Sequence, residues 1–241
     1  SWDDPTPNYS DNHYWIINEN ISTDQRDRFY GNVEMRYDIM PGLYATGNIY
    51  GDNYSLRINE QIAVGSLATS SFSESIREFL EMNYEARVHF DKKWDLFSLN
   101  SFIGTNRRNT TTHRSSAATS GGLIVPNLYT INNSSQAATI ETNKTQKRVN
   151  SVFGNFSAGY KDLVFLDFGW RNDWSSTLPE NDNSYFYPSV TGSFVFSQVL
   201  KAPWLNFGKL RAGWSQVGND TDPYRLADVY LNNVFDNTTF L

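Results

Sequence analysis

Between Leu163 and Ser175 the side chains fall into two alternating sets. Val164, Leu166, Phe168, Trp170, Asn172 and Trp174 form one; Leu163, Phe165, Asp167, Gly169, Arg171, Asp173 and Ser175 form the other. The first is apolar over four consecutive members, and the second is polar or small from Asp167 onward. Neighbouring side chains on a strand point to opposite faces, so the run predicts a long strand with one apolar and one charged face. Such a strand either packs its apolar face on a second sheet, or turns it to lipid while the charged face lines water.

The same period recurs. Arg28–Ile39 sets Phe29, Val33, Met35, Tyr37 and Ile39 against Arg28, Glu34, Arg36 and Asp38. Pro41-Gly42 turns the chain, and Leu43 to about Ile58 returns with weaker alternation. Ile76–Asp91 places Leu80, Met82, Tyr84, Val88 and Phe90 outward and Glu81, Glu85, Arg87 and His89 inward. Trp94–Asn106 follows, with Phe97, Leu99 and Ile103 outward. Lys147–Tyr160 directs Val152, Phe156, Ala158 and Tyr160 out and Ser151, Asn155 and Ser157 in. Phe186–Gln198 sets Phe186, Val190, Phe194 and Phe196 against Tyr187, Ser189, Thr191, Ser193 and Ser197. In Asn206–Val217, Leu210, Ala212 and Trp214 oppose Lys209, Arg211, Gly213 and Ser215.

Eight strands thus make four hairpins. Their connections near 40–42, 91–94, 161–162 and 199–205 are short; those at 59–75, 107–146, 176–185 and from 218 are long. Short turns on one rim and long loops on the other is the pattern of an outer-membrane barrel. Phe90, Trp94, Tyr160 and Trp204 near one rim, and Trp174, Phe186 and Trp214 near the other, fall where aromatic girdles would lie. A soluble carbohydrate-binding β-sandwich also alternates. The barrel is the better fit, because the strands exceed the about 9–11 residues a tilted membrane strand needs. The charged faces also find no second apolar pattern to pack on.

Composition narrows the function classes. The 241 residues carry a formal net charge of -6, against a nucleic-acid partner. No cysteine is present, which excludes disulfides and thiolate chemistry. No apolar run is long enough for a transmembrane helix, and the N-terminal segment does not read as a signal peptide. The chain therefore reads as an internal piece of something longer.

The chemistry-bearing residues do not assemble a catalytic or metal site. His13, His89 and His113 lack metal-ligand spacing. Asp167 and Asp173 lie on one face, but six strand residues separate them by about 20 Å, beyond a glycosidase pair. Asp220-Thr221-Asp222 reads as a turn held by Asx hydrogen bonds and stopped by Pro223; paired oxygens for calcium are the competing reading. Gly213–Val217 lacks the closing glycine of a nucleophile elbow and reads as strand. The expectation is no catalysis and no cofactor.

Several runs carry a resemblance. Tyr160-Lys161-Asp162, Arg171–Pro179, Ser184–Val190, Lys209–Trp214 and Val217–Tyr224 closely resemble the SusC/RagA family of TonB-linked outer-membrane transporters of Bacteroidetes. Tyr14-Trp15, Arg26-Asp27-Arg28, Gly31-Asn32, Gly121-Gly122-Leu123 and Val125-Pro126-Asn127 agree with it. His13 departs, since proline usually precedes Tyr-Trp. The resemblance covers nearly the whole chain but only the middle of such a barrel. It implies about eight consecutive strands of an all-β, antiparallel, up-and-down transmembrane β-barrel of the 22-strand type, with a plugged lumen. Residues 1–27 would be an extracellular loop, 28–218 four hairpins of barrel, and 219–241 the start of another extracellular loop; the plug domain would lie elsewhere.

The resemblance further implies import of oligosaccharides, or in some members peptides, across the cell outer membrane. A SusD-like surface lipoprotein would close over the loops, and the TonB complex would act through the plug. A barrel importing metal chelates is a further alternative. On this reading Glu81, Glu85, Arg87, Asp167, Arg171, Asp173, Lys209 and Arg211 line the lumen. The loop aromatics Tyr14, Trp15, Tyr129 and Tyr224 offer flat faces for cargo; packing of loops or of the lipoprotein is their other use.

Overall fold

The computed structural model describes residues 10–200 and 202–225, with the backbone also at 234–235 and 238–239. The parts of the expected terminal loops at 1–9, 226–233, 236–237 and 240–241 lie outside the described residues. A short helix, α1 (His13–Glu19), precedes eight strands: β1 (Ser22–Met40), β2 (Leu43–Ile62), β3 (Ser71–Lys93), β4 (Phe97–Leu123), β5 (Ser134–Tyr160), β6 (Val164–Ser175), β7 (Ser184–Phe194) and β8 (Leu210–Ser215). They form one sheet in sequence order, β1 through β8, and the sheet is not closed among the described residues. A two-residue pair, β9 (Val234–Phe235) and β10 (Thr238–Thr239), stands apart. This is the expected all-β, up-and-down, antiparallel architecture of a barrel segment.

The register carries the sequence alternation across the sheet. Phe156 of β5 pairs with Phe168, Phe168 with Val190, and Val190 with Trp214, so one apolar row crosses four strands. The row beside it is Ser157, Asp167, Thr191 and Gly213.

Two turns follow from their residues. Gly42 sits at φ +84, a backbone that glycine adopts without strain. A side chain there would strike the Asp91 carbonyl of the next hairpin, and Asp91 N donates to Gly42 O at 2.7 Å. Lys161 and Asp162 both have φ 52, and Leu163 N donates to Tyr160 O at 2.9 Å. Two consecutive positive φ values make the mirror-type hairpin turn whose twist suits paired strands.

Burial is inverted relative to a water-soluble sheet. On β6, Val164, Leu166 and Phe168 are 43%, 50% and 40% exposed, whereas Asp173 and Ser175 on the polar face are 8% and 1%. Buried hydrophobic side chains among the described residues are only Ala63, Val149, Phe153 and Val195. A sandwich would cover the apolar face with a second sheet. No such sheet exists among the described residues, so the sandwich alternative falls.

Chain contacts divide the molecule into two compact units. The first comprises residues 1–33, 50–82 and 110–146 and holds α1 with parts of β1–β5. Here Trp15 Nε1 donates to Ser66 Oγ at 2.8 Å and Ala63 N to Asn20 Oδ1 at 2.8 Å, which ties α1 to the β2–β3 connection. The second comprises 34–49, 83–109 and 147–241, with the remainder of β1–β5 and all of β6–β8.

Several expectations need correction. Most of 107–146, read as loop, is strand: β4 runs to Leu123 and β5 starts at Ser134. These segments carry polar residues on both faces, which removes the period-two signal, but Thr110, Thr111 and Thr112 suit a strand backbone. Likewise 59–75 shrinks to residues 63–70, and part of 10–27 is α1 and the start of β1. The connection after β7 is the reverse case. Expected at 199–205, it occupies 195–209, because β7 ends at Phe194 opposite Leu210. Phe196 belongs to a 3-10 turn at Phe196–Gln198, not to the apolar face, and its ring fills the space where Gly208 would carry a Cβ.

Candidate functional site

The polar face of the second unit carries a built hollow. Side chains with the same orientation on β5–β8 stack in rows. Phe153, Arg171 and Tyr187 make one; Asn155, Gly169, Ser189 and Ser215 make the next. The second row is short, so the surface sinks beside the first. The resulting cavity measures about 710 Å³, and Arg108, Asp173 and Gln216–Gly218 also line it.

Its polar groups are held in place. Arg171 Nε donates to Asp173 Oδ1 at 2.7 Å, and its terminal nitrogen donates to Ser151 Oγ at 2.7 Å. The Tyr187 hydroxyl donates to the other Asp173 oxygen at 3.2 Å. Both carboxylate oxygens are therefore engaged. The Arg171 guanidinium lies 5.4 Å from the Phe153 ring centre, within cation–π range.

A strap borders the hollow. After β8, Gln216 N donates to Pro188 O at 3.0 Å. Gly218 lies against the Tyr187 and Tyr185 rings, where a Cβ would meet Tyr187 at 3.0 Å. Asp220 then accepts from Lys147 Nζ at 2.7 Å, Ser175 Oγ at 2.6 Å and Thr177 Oγ1 at 3.3 Å. Burial pushes the Asp220 carboxyl up, but the Lys147 and Ser175 hydrogen bonds outweigh it and hold the group below the usual carboxylate range. Asp220 is thus neither the hub of a local Asx turn nor open to calcium; its oxygens are committed to β5 and to the end of β6.

An aromatic ladder crosses the polar face of the same unit. Tyr44 and His89 stack at 4.5 Å, His89 meets Phe102 at 5.5 Å, and Phe102 meets Phe153 at 5.9 Å. Arg36 lies 3.8 Å from the Tyr44 ring centre, and Arg87 lies 5.1 Å from Phe102 and 5.3 Å from Phe153. Arginine rather than lysine fits here, since its flat guanidinium stacks on ring faces.

The expected lumen residues sort by place. Arg171 and Asp173 share the hollow. Asp167 and Lys209 share a second cavity of about 550 Å³, where the Ser157 hydroxyl bonds Asp167 and Lys209 Nζ sits 5.0 Å from the Phe165 ring centre. Glu85 pairs with Arg87 at 2.7 Å. Arg211 is exposed on β8. Glu81, in the first unit, accepts from Thr110 Oγ1 at 3.2 Å. The three histidines do not gather. His13 opens α1, His89 joins the ladder, and His113 pairs with Glu78 at 3.2 Å.

The loop aromatics divide. Tyr14 and Tyr224 are each 68% exposed. Trp15 is partly buried and packs against Gly65. Tyr129 is also partly buried; its hydroxyl has no hydrogen-bond partner among the described residues, and burial with Glu19 nearby pushes its pKa up. Trp15 and Tyr129 thus serve packing within the first unit more than they offer free faces.

Sequence reading set Ser151 on the polar face without its Arg171 partner, and it missed Arg108, the ladder and the Asp220 clasp. Arg108, Phe102 and Phe153 were detectable, since each falls on the polar parity of its strand. The clasp was not, because Lys147 and Asp220 lie 73 residues apart.

No protein-family model matches the chain, and no curated protein does. Solved structures do. A chain of the RagAB peptide transporter matches with a TM-score of 0.73 at 16% identity over 90% of this chain. Two states of the RagAB peptide importer match similarly: "closed-closed" with a TM-score of 0.72 at 17% identity, and "open-open" with 0.73 at 17%. The fold is that of one section of such a chain. This sequence spans 26% of each of those chains, and at these identities the likeness concerns fold alone.

Proposed function

We propose that the chain is a barrel section of an outer-membrane importer of the SusC/RagA type, moving oligomeric nutrients without making or breaking bonds. The observation that carries this reading is the inverted burial. A sheet that exposes Val164, Leu166 and Phe168 while covering Asp173, Ser151 and Ser175 suits lipid on one side and a water-filled lumen on the other. β6, with 12 residues, is long enough to cross a bilayer at a tilt. β4 and β5, with 27 each, are long enough to cross and continue beyond it as one hairpin.

The cargo is an oligosaccharide or a peptide; the peptide transport of the similar chains supports the second. A plug domain outside this chain would couple transport to TonB, and a surface lipoprotein would cover the outer rim. Fractionation and uptake by a deletion strain test the reading. The full-length protein is expected in the outer-membrane fraction, soluble only in detergent, and its loss should abolish uptake of one oligomer class. A native protein that partitions into water without detergent would refute it.

A further inference from the structure

Resting on the importer reading, we propose that the hollow beside Arg108 is a subsite for a carboxylate carried next to an apolar or ring-shaped group. Three observations converge. The first is charge. The charged residues lining the hollow are Arg108, Arg171 and Asp173, two cations against one carboxylate. Asp173 is satisfied by Arg171 and Tyr187, and Asp220 by Lys147, Ser175 and Thr177. Arg108 has no hydrogen bond or ion pair among the described residues, although it lines the same hollow as Asp173. The hollow is left with a guanidinium that no acid among the described residues answers.

The second is chemistry. Guanidinium binds carboxylate through paired, charge-assisted hydrogen bonds, and such bonds are the strong ones. Asn155 and Ser189 line the same floor and supply neutral polar groups for the remaining oxygen lone pairs. The third is shape. Phe102 and Phe153 wall one side, and Gly169 lowers the floor, since a Cβ there would lie 2.6 Å from Ser189 Oγ. A carboxylate held by Arg108 would place the group attached to it against the aromatic wall, as ligand sites commonly pair an apolar lining with a few fixed polar groups.

A carboxylate of this kind comes from a peptide C-terminus or from a uronic acid. The test uses the full-length transporter in detergent and titrates four probes by calorimetry: a short apolar peptide with a free C-terminus, its C-terminal amide, a uronate oligosaccharide, and its neutral methyl ester. One acid probe is expected to bind about tenfold tighter than its neutral partner, and Arg108→Gln should erase that difference, as hydrogen bonds to charged groups imply. Which pair shows the difference names the source. Gly169→Val, which fills the floor and leaves the arginine, should weaken the same acid probe. Equal binding of acid and neutral forms by the native protein, or equal loss of both in Arg108→Gln, overturns the subsite and leaves the importer reading standing. Binding of none of the four also overturns the subsite, while the importer reading is overturned only by the fractionation and uptake results.

Discussion

The two units use one kind of backbone pairing in two different surroundings. In the second, strands alternate sharply, with the exposed row Phe156, Phe168, Val190 and Trp214 beside the row Ser157, Asp167, Thr191 and Gly213. In the first, the outer parts of β4 and β5 are polar on both faces: Thr110, Thr111, Thr112, His113 and Arg114 run in succession. Backbone hydrogen bonds hold both, so the side-chain pattern reports what surrounds the strand, not whether a strand exists. On the importer reading, alternation marks contact with two solvents and its loss marks contact with one.

Charge placement should break this comparison most sharply. Phe168→Arg puts a cation on the apolar face of the second unit and should cost about 2–4 kcal/mol if it lies near the bilayer midplane. Thr111→Arg in the first unit should stay within about 0.5 kcal/mol. Reversible unfolding of the full-length protein in lipid vesicles measures both, and similar costs would erase the distinction.

The strap should come next. Asp220→Ala leaves Lys147 without its carboxylate, and Ser175 and Thr177 without their shared acceptor. Losing such a bond to a charged, mostly buried group costs about 1.5–3 kcal/mol. The expected result is faster hydrogen exchange at residues 216–222 with little change in β6. Acid should do the same reversibly. Asp220 is depressed in the folded state, so its contribution is complete above the ordinary carboxylate pKa of about 3.9 and is lost as pH falls through the folded value. Protection at 216–222, taken relative to the intrinsic exchange rate at each pH, should therefore be flat from neutral pH to about pH 5 and fall only in stronger acid.

A smaller, local effect belongs to the tip of the β4–β5 hairpin. Asn133 is 5% exposed; its amide donates to Val125 O and Leu128 O at 2.8 and 2.7 Å, and its oxygen accepts from Val125 N at 2.9 Å. Asn133→Ala should loosen residues 124–133 by about 1 kcal/mol. Limited proteolysis should cut there first, leaving β6 and β7 intact.

This contrast also explains what the sequence revealed. β6 was legible nearly to the residue, and so was the Lys161-Asp162 turn, because local pattern and local turn chemistry specify both. The segments of β4 and β5 within residues 110–146 were not, because a strand polar on both faces has the composition of a loop. Of the candidate site, Arg171 and Asp173 could be placed by parity. Arg108 and Ser151 also fall on the polar parity of their strands, but register decides that they stand near Arg171, and Asp220 arrives through a long-range clasp, neither of which composition encodes.

The central claim is that the alternate faces of β6 meet different solvents. These 241 residues contain no cysteine, so, with any cysteine elsewhere in the full-length protein replaced, single cysteines can be introduced at each position from 164 to 171 and spin-labelled in bilayers. Collision rates with lipid-soluble oxygen and with a water-soluble nickel chelate should alternate with a period of two, oxygen favoured at 164, 166, 168 and 170 and the chelate at 165, 167, 169 and 171. A profile without that alternation, or with chelate access at Leu166 and Phe168, would contradict the account.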